Sequence, residues 1–192
     1  IENLDFNVGI IINFLKKNGQ YDNTVILFMS DNGAAGEDFY YNNIYGEYIQ
    51  ENFNYDYEDM GKPNSFVSLG VGWAEAITSP FRLYKGFTTS GGMKSPLIIS
   101  GINDNKISLS NEFLSLVDIA PSIYDLLNIK YPRFLNNNEL FPPIGESIIP
   151  YLKSESYRIH KDDYVFAFEH SGNSYLKKGE WKIINTVQPF KV

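Results

Sequence analysis

Asp31 and Asn32 follow directly on a run of apolar residues, Val25 to Met29, and stand before Gly33. Asp31 offers a carboxylate and Asn32 an amide oxygen. Hard divalent cations such as calcium select oxygens of this kind. The unbroken apolar run suits a strand buried on both faces, as in a parallel sheet covered by helices. In open α/β sheets ligands sit beyond the carboxyl ends of the strands, which is where Asp31 and Asn32 would stand. Gly33 allows a sharp exit with positive φ. Asn-Gly between apolar runs is also a strong hairpin signal. Against the hairpin, Ala34 to Asp38 does not alternate as a returning strand would.

Lys85 is the second candidate, in the loop PFRLYKGFTTSGG. A lone loop lysine is ordinarily solvated. Beside a metal it is also a suitable ligand for a sulfate or phosphate, because it adds positive charge. Other chemistry-bearing residues are sparse. Of the two histidines, His160 lies in a charged stretch expected to be exposed, and His170 follows Glu169 at a strand end and reads as structural. The chain has no cysteine, which excludes disulfides, thiolate metal sites and a thiol nucleophile within it. No Ser-His-Asp arrangement, phosphate-cradling glycine loop or internal repeat is evident.

The elements that must position these residues follow from periodicity. Leu4, Val8, Ile11, Ile12 and Leu15 keep helical spacing, and Asn18-Gly19 is a stop. A helix feeding a buried parallel strand is the second half of a βαβ unit, so a first strand is expected outside this chain. Residues 38–65 are rich in Tyr, Asn and acids and read as a long loop at the sheet edge. Such a loop is either functional or a surface excursion packed on its own rings. Trp73 to Ile77 suits a short helix stopped by Pro80, and Leu97 to Ile99 a short buried strand. Asp118 can cap a helix with Pro121 in its first turn and Ile119, Ile123, Leu126 and Leu127 as its core stripe. Four prolines between 131 and 150 imply an extended connection. Tyr164 to Phe168, Ser174 to Lys177 and Trp181 to Ile184 predict an antiparallel meander. The expected division is an α/β part over 1–150 and the start of a small antiparallel subdomain over 151–192.

Composition sets outer bounds. The chain has 192 residues, 43% of them hydrophobic and 16% aromatic, which indicates a globular chain with a sizeable core. A formal net charge of −7 argues against a non-specific nucleic-acid binder, which needs clustered Lys and Arg. It also means that any anion site must be local. No apolar run approaches the ~18 residues needed to span a bilayer.

Several stretches, in this order, resemble the C-terminal half of a type I, formylglycine-dependent arylsulfatase. YDNTVILFMSDNGAAGE is similar to the family's strand ending in Ser-Asp-Asn-Gly. GKPNSFVSLGVGWAEAITSPFRLYKGFTTSGGMKSP is similar to its stretch ending in Phe-Arg-Leu-Tyr-Lys-Gly and a Thr-Thr-x-Gly-Gly turn. VDIAPSIYDLLNI and EHSGNSYLKKGEWKII support these two. The resemblance implies an alkaline-phosphatase-like α/β fold: a mostly parallel sheet with flanking helices, incomplete at the N-terminus, and a small antiparallel meander. It implies that Asp31 and Asn32 ligate a divalent metal, usually calcium, and that Lys85 contacts the sulfate and the departing oxygen. It implies hydrolysis of a small-molecule sulfate ester to an alcohol and inorganic sulfate. The family's modification motif, Cys/Ser-x-Pro/Ala-x-Arg, does not occur here, so the formylglycine and the remaining metal ligands are expected outside this chain. Met93-Lys94 stands where Ile-Arg is common. A phosphate- or phosphonate-ester hydrolase of the same superfamily is an alternative, as is a non-catalytic chain that keeps the fold for binding.

Overall fold

The structure is a computed structural model that describes residues 1–102 and 107–186. The end of the expected C-terminal subdomain, residues 187–192, lies outside the described residues. Helix α1 spans Glu2–Lys17, with Glu2 and Asp5 in its first turn and Lys16 and Lys17 in its last, both complementing the helix dipole. Gly19, at φ 65°, ends it in the left-handed region that glycine adopts without strain. Strand β1 (Ile26–Met29) follows. Then come α2 (Gly46–Asn52), α3 (Gly70–Thr78), the single turn α4 (Ser90–Met93) and β2 (Leu97–Ser100). Helix α5 covers Ile119–Leu126, and a small hairpin joins β3 (Phe134–Leu135) to β4 (Asn138–Glu139). After α6 (Ile149–Leu152) the chain forms β5 (Val165–His170), β6 (Asn173–Lys178) and β7 (Trp181–Asn185).

The chain divides into two compact units. The first comprises Ile1–Met29 and Leu97–Tyr164. Its sheet is β1 against β2, antiparallel, with Ile26 opposite Ser100 and Met29 opposite Leu97. The expected parallel sheet is therefore not found among the described residues. An apolar run reports that a strand is covered, whereas strand direction is set by the connection, here the whole of residues 30–96. Nor are the strands buried on both faces, since Phe28 is 37% and Ile98 60% exposed. The core of this unit is Ile148, Ile149 and Leu152, with Ile99, Leu114, Leu126 and Ile159 packed against it. Of the expected stripe on α5, Leu126 joins this core, while Ile123 and Leu127 remain substantially exposed. The proline-rich connection also holds more structure than expected. Asn136 and Asn137 both take positive φ, the requirement of a tight two-residue hairpin, and they join β3 to β4.

His160 belongs to this unit, and the expectation that it is exposed is corrected. It is buried, and its Nε2 lies 3.0 Å from Asp118 Oδ2. Its ring stacks on Tyr164, with centroids 3.9 Å apart. Arg158, Lys161, Asp162 and Asp163 are exposed, so the stretch keeps these charges in solvent while His160 turns inward. Asp118 sits at the N-cap position of α5 but does not cap that helix with its carboxylate. The carboxylate instead accepts the backbone N–H groups of Ser115 (2.7 Å) and Glu146 (2.9 Å), besides meeting His160. It thereby fastens three chain segments at one fully buried point.

The second unit comprises Ser30–Pro96 and Val165–Val192. Its meander is β5-β6-β7, antiparallel throughout. Ser171 and Gly172, both at positive φ, form the two-residue turn between β5 and β6, which suits the right-handed twist of the strands. The tyrosine-rich stretch 38–65 packs on its own rings. Tyr40 stacks on Tyr55 at 4.2 Å, and the Tyr55 hydroxyl donates to Asp38 Oδ2 at 3.1 Å. Burial, then the Asp38 carboxylate, pushes the Tyr55 hydroxyl above its ordinary value. Among the described residues no helix is long and apolar enough to cross a membrane.

Candidate functional site

Ser30, Asp31, Asn32 and Gly33 form an ordered turn in the second unit, not the arm of a hairpin. The partner of β1 begins only at Leu97. The Ser30 hydroxyl donates to the Asn32 carbonyl at 2.9 Å, and the Ser30 N–H donates to the Pro96 carbonyl at 3.4 Å. The Asn32 side-chain amide donates to the Gly33 carbonyl at 2.8 Å. That bond engages the amide nitrogen, and no hydrogen bond among the described residues engages the side-chain oxygen.

The loop carrying Lys85 is bonded to this turn along the backbone. Gly33 N–H donates to Gly92 O at 3.0 Å, and Lys85 N–H donates to Ala34 O at 2.9 Å. The approach is close enough to require glycine. A Cβ on Gly33 would lie 1.9 Å from the Gly91 carbonyl oxygen, and a Cβ on Gly91 the same distance from that of Leu83. The sequence suggested that Gly33 serves a positive φ, but its φ is not positive. What it supplies is room for a second backbone. Thr88, fully buried, donates its hydroxyl to the Ser174 carbonyl at 3.2 Å and so anchors the Lys85 loop to β6.

Lys85 extends its ammonium to within 3.7 Å of Glu37 Oε1, with both side chains about two-fifths exposed, at 38% and 44%. An exposed pair of this kind is worth roughly 0–1 kcal/mol, so an anionic ligand can displace the carboxylate at little cost. Glu37 was not singled out in the sequence. Its distance along the chain from Lys85 hides the pairing, and only the Ala34–Lys85 backbone bond brings the two together.

Asp31 is exposed, and among the described residues no hydrogen bond or ion pair engages its carboxylate. With the Asn32 amide oxygen it makes a set of two hard oxygen donors, which fits calcium or magnesium and not a soft cation. Calcium takes about six to eight oxygens, so two donors are a minority of a shell. Among the described residues no group of three or more His, Cys, Asp or Glu converges to complete one.

Comparison with known proteins identifies the family. The sequence model of the Sulfatase family matches residues 1–129. The chain belongs to the sulfatase family. It is 35% identical over 187 residues to an uncharacterized sulfatase of Schizosaccharomyces pombe, covering 96% of this chain and 34% of that protein. It is 32% identical over 153 residues to an arylsulfatase of Klebsiella aerogenes, covering 77% of this chain and 32% of that enzyme. An uncharacterized sulfatase of Escherichia coli is 26% identical over 172 residues. This sulfatase chain thus spans about a third or less of the length of the relatives it matches. The family carries the alkaline-phosphatase-like α/β fold. Asp31, Asn32 and Lys85 all fall inside the matched stretch.

Proposed function

We propose that this chain forms one side of the active site of a sulfuric-ester hydrolase, which cleaves a sulfate ester to an alcohol and inorganic sulfate. Asp31 and Asn32 are its contribution to a divalent metal site, with calcium the expected ion, and Lys85 faces the sulfate. The observation that carries this reading is the glycine-packed seam. Gly33–Gly92 and Ala34–Lys85 are direct backbone hydrogen bonds, so the segments carrying the oxygen donors and the ammonium are joined side by side. Similarity to the Klebsiella arylsulfatase supports the choice of ester.

When bound, the metal supplies Lewis acidity to the sulfate oxygens. The Asn32 amide nitrogen is tied to Gly33 O, which leaves the side-chain oxygen as the group for the metal. Lys85 exchanges the weak Glu37 contact for the sulfate and for the oxygen of the departing alcohol. Negative charge grows on that oxygen as the S–O bond to the alcohol breaks. The Lys85 interaction is therefore stronger in the transition state than in the ground state. The nucleophile is not among these residues.

The test is Lys85→Ala in the full protein, assayed on aryl sulfates of graded leaving-group pKa. Loss of one preorganised charge donor is expected to lower kcat by about 10²–10³, more for poorer leaving groups. Lys85→Arg is expected to recover little, because a planar fork does not reproduce a point charge. Wild-type rates in a folded Lys85→Ala protein would remove Lys85 from the site. Faster cleavage of aryl phosphates than of aryl sulfates by the wild type would favour the phosphoester alternative.

A further inference from the structure

The chain runs from the Lys85 site straight into an aromatic segment that the proposed chemistry does not use. Glu37, whose carboxylate meets Lys85, is followed by Asp38, Phe39, Tyr40 and Tyr41. This segment lies against the Lys85 loop through more than that ion pair. Ala34 O accepts the Lys85 N–H, and a Cβ on Gly36 would stand 2.5 Å from the ring of Tyr84, the residue before Lys85. Tyr41 is four residues beyond Glu37, so their Cα atoms are at most about 14 Å apart. One sulfate ester of a ring-bearing alcohol can bridge that span with the help of the side chains at either end.

The rings of this segment are tethered. The Asp38 carboxylate accepts the Tyr40 N–H at 3.0 Å and the Tyr55 hydroxyl at 3.1 Å. Phe39 N–H donates to Ser68 Oγ at 3.1 Å, and Gln50 Nε2 donates to Tyr40 O at 2.7 Å. Tyr40 and Tyr55 stack 13° from parallel, so each covers one face of the other. Tyr41 stands nearly perpendicular to both, at 79° and 89°, and is 69% exposed. Packing of the stretch on its own rings therefore accounts for Tyr40 and Tyr55 but leaves Tyr41 largely in water. A tyrosine held in this way offers a large apolar contact area at low entropic cost. We propose that Tyr41, backed by Tyr40 and Tyr55, is the subsite for the alcohol part of the ester, and that it selects alcohols carrying a ring with an apolar face, aromatic or sugar. The proposal rests on the hydrolase reading and deepens it: Lys85 meets the sulfate, and Tyr41 meets the ring attached to it. Asp38 is a positioning residue, because one carboxylate fixes Tyr40 and Tyr55 directly beside Glu37 in the chain.

The experiment separates ring binding from sulfate binding in the full protein. The probes are para-nitrophenyl sulfate as the ester and inorganic sulfate as a competitive inhibitor that has no ring. Tyr41→Ala is expected to raise KM for the ester about three- to tenfold, the worth of one aromatic pair, with a smaller effect on kcat. The inhibition constant of inorganic sulfate is expected to stay at the wild-type value. Tyr41→Phe keeps the ring and is expected to restore KM. A larger rise for para-nitrophenyl sulfate than for a monosaccharide sulfate identifies an aromatic alcohol, and the reverse identifies a sugar. A wild-type KM in folded Tyr41→Ala, failure of Tyr41→Phe to restore KM, or an equal shift in the sulfate inhibition constant would each overturn the subsite while leaving Lys85 in its role. Loss of a dimer in Tyr41→Ala at unchanged KM would assign the ring to a second copy of the chain and overturn it too. A wild type that turns over no sulfate ester would instead overturn the hydrolase reading, and the subsite with it.

Discussion

Two aspartates of this chain stand at opposite extremes. Asp31 is exposed and unengaged among the described residues, whereas Asp118 is fully buried and meets two backbone N–H groups and His160. Replacing each by Ala should therefore separate function from folding. In the full protein, Asp31→Ala is expected to weaken calcium binding strongly and to change stability within about ±0.5 kcal/mol, as surface substitutions do. Asn32→Ala should weaken binding less, since a neutral amide oxygen contributes less to a hard cation. Calcium titration by calorimetry checks both, and unchanged affinity in Asp31→Ala would reject the metal assignment. Asp118→Ala should strand its donors in the interior and cost about 3 kcal/mol or more. A melting temperature equal to wild type would show that the buried carboxylate is not the fastening point it is argued to be. The buried role of Asp118 could not be read from residue type. Asp118 was legible as a helix cap and its bond to Ser115 is local, but Glu146 and His160 lie 28 and 42 residues away, and nothing local in the sequence joins these.

At the scale of elements, the meander shows how strand pairing can place like charges together. Its three strands and both turns were legible, because alternation and Gly-containing turns are local signals. The pairing of Lys177 with Lys182 then follows from the register. Burial, and then the charges of Lys177 and Lys94, lowers the Lys182 ammonium to about 8, which affects stability with a definite sign. Below about 8 it is charged in both folded and unfolded protein, so the cost of burying it and crowding it against Lys177 and Lys94 is fully present. Above its ordinary 10.5 it is neutral in both states and that cost is gone. Between these values the unfolded chain binds more protons, so the Lys182 contribution becomes less unfavourable as pH rises. Lys182→Met is thus expected to raise the melting temperature at neutral pH, with the advantage shrinking between about pH 8 and 10.5. Differential scanning calorimetry of both proteins across that range checks it, and an advantage that grows with pH would contradict the sign. Helix α1 was equally legible from its spacing. Yet no residue of it is buried, because amphipathic spacing specifies a face and not what covers it.

On the scale of the whole molecule, the proposed site takes two oxygen donors and one ammonium from this chain and its nucleophile from outside these residues. The chain has no cysteine and no Cys/Ser-x-Pro/Ala-x-Arg motif. A polypeptide of these 192 residues is therefore expected to give no measurable hydrolysis of an aryl sulfate, with or without calcium. Metal-dependent turnover by that polypeptide, freed of contaminating sulfatase, would refute the assignment of chemistry between this chain and the rest of the protein. The relatives it matches are about three times its length or more.

The sequence by itself determined the type and rough extent of α1, β1, β2, α5 and the meander, and it singled out Asp31, Asn32 and Lys85. The elements rest on local physics, periodicity and turn chemistry, whereas the three residues rest on oxygen and amine chemistry joined to the resemblance to the arylsulfatase motifs. Only the tertiary structure decided that β1 runs antiparallel to β2, because direction depends on where a long connection returns. Tertiary contact alone turned His160 inward onto Asp118, set Glu37 beside Lys85, and made Gly33 a matter of space and not of φ. Each of these depends on segments distant in sequence meeting at a few ångströms, and no local pattern encodes that meeting.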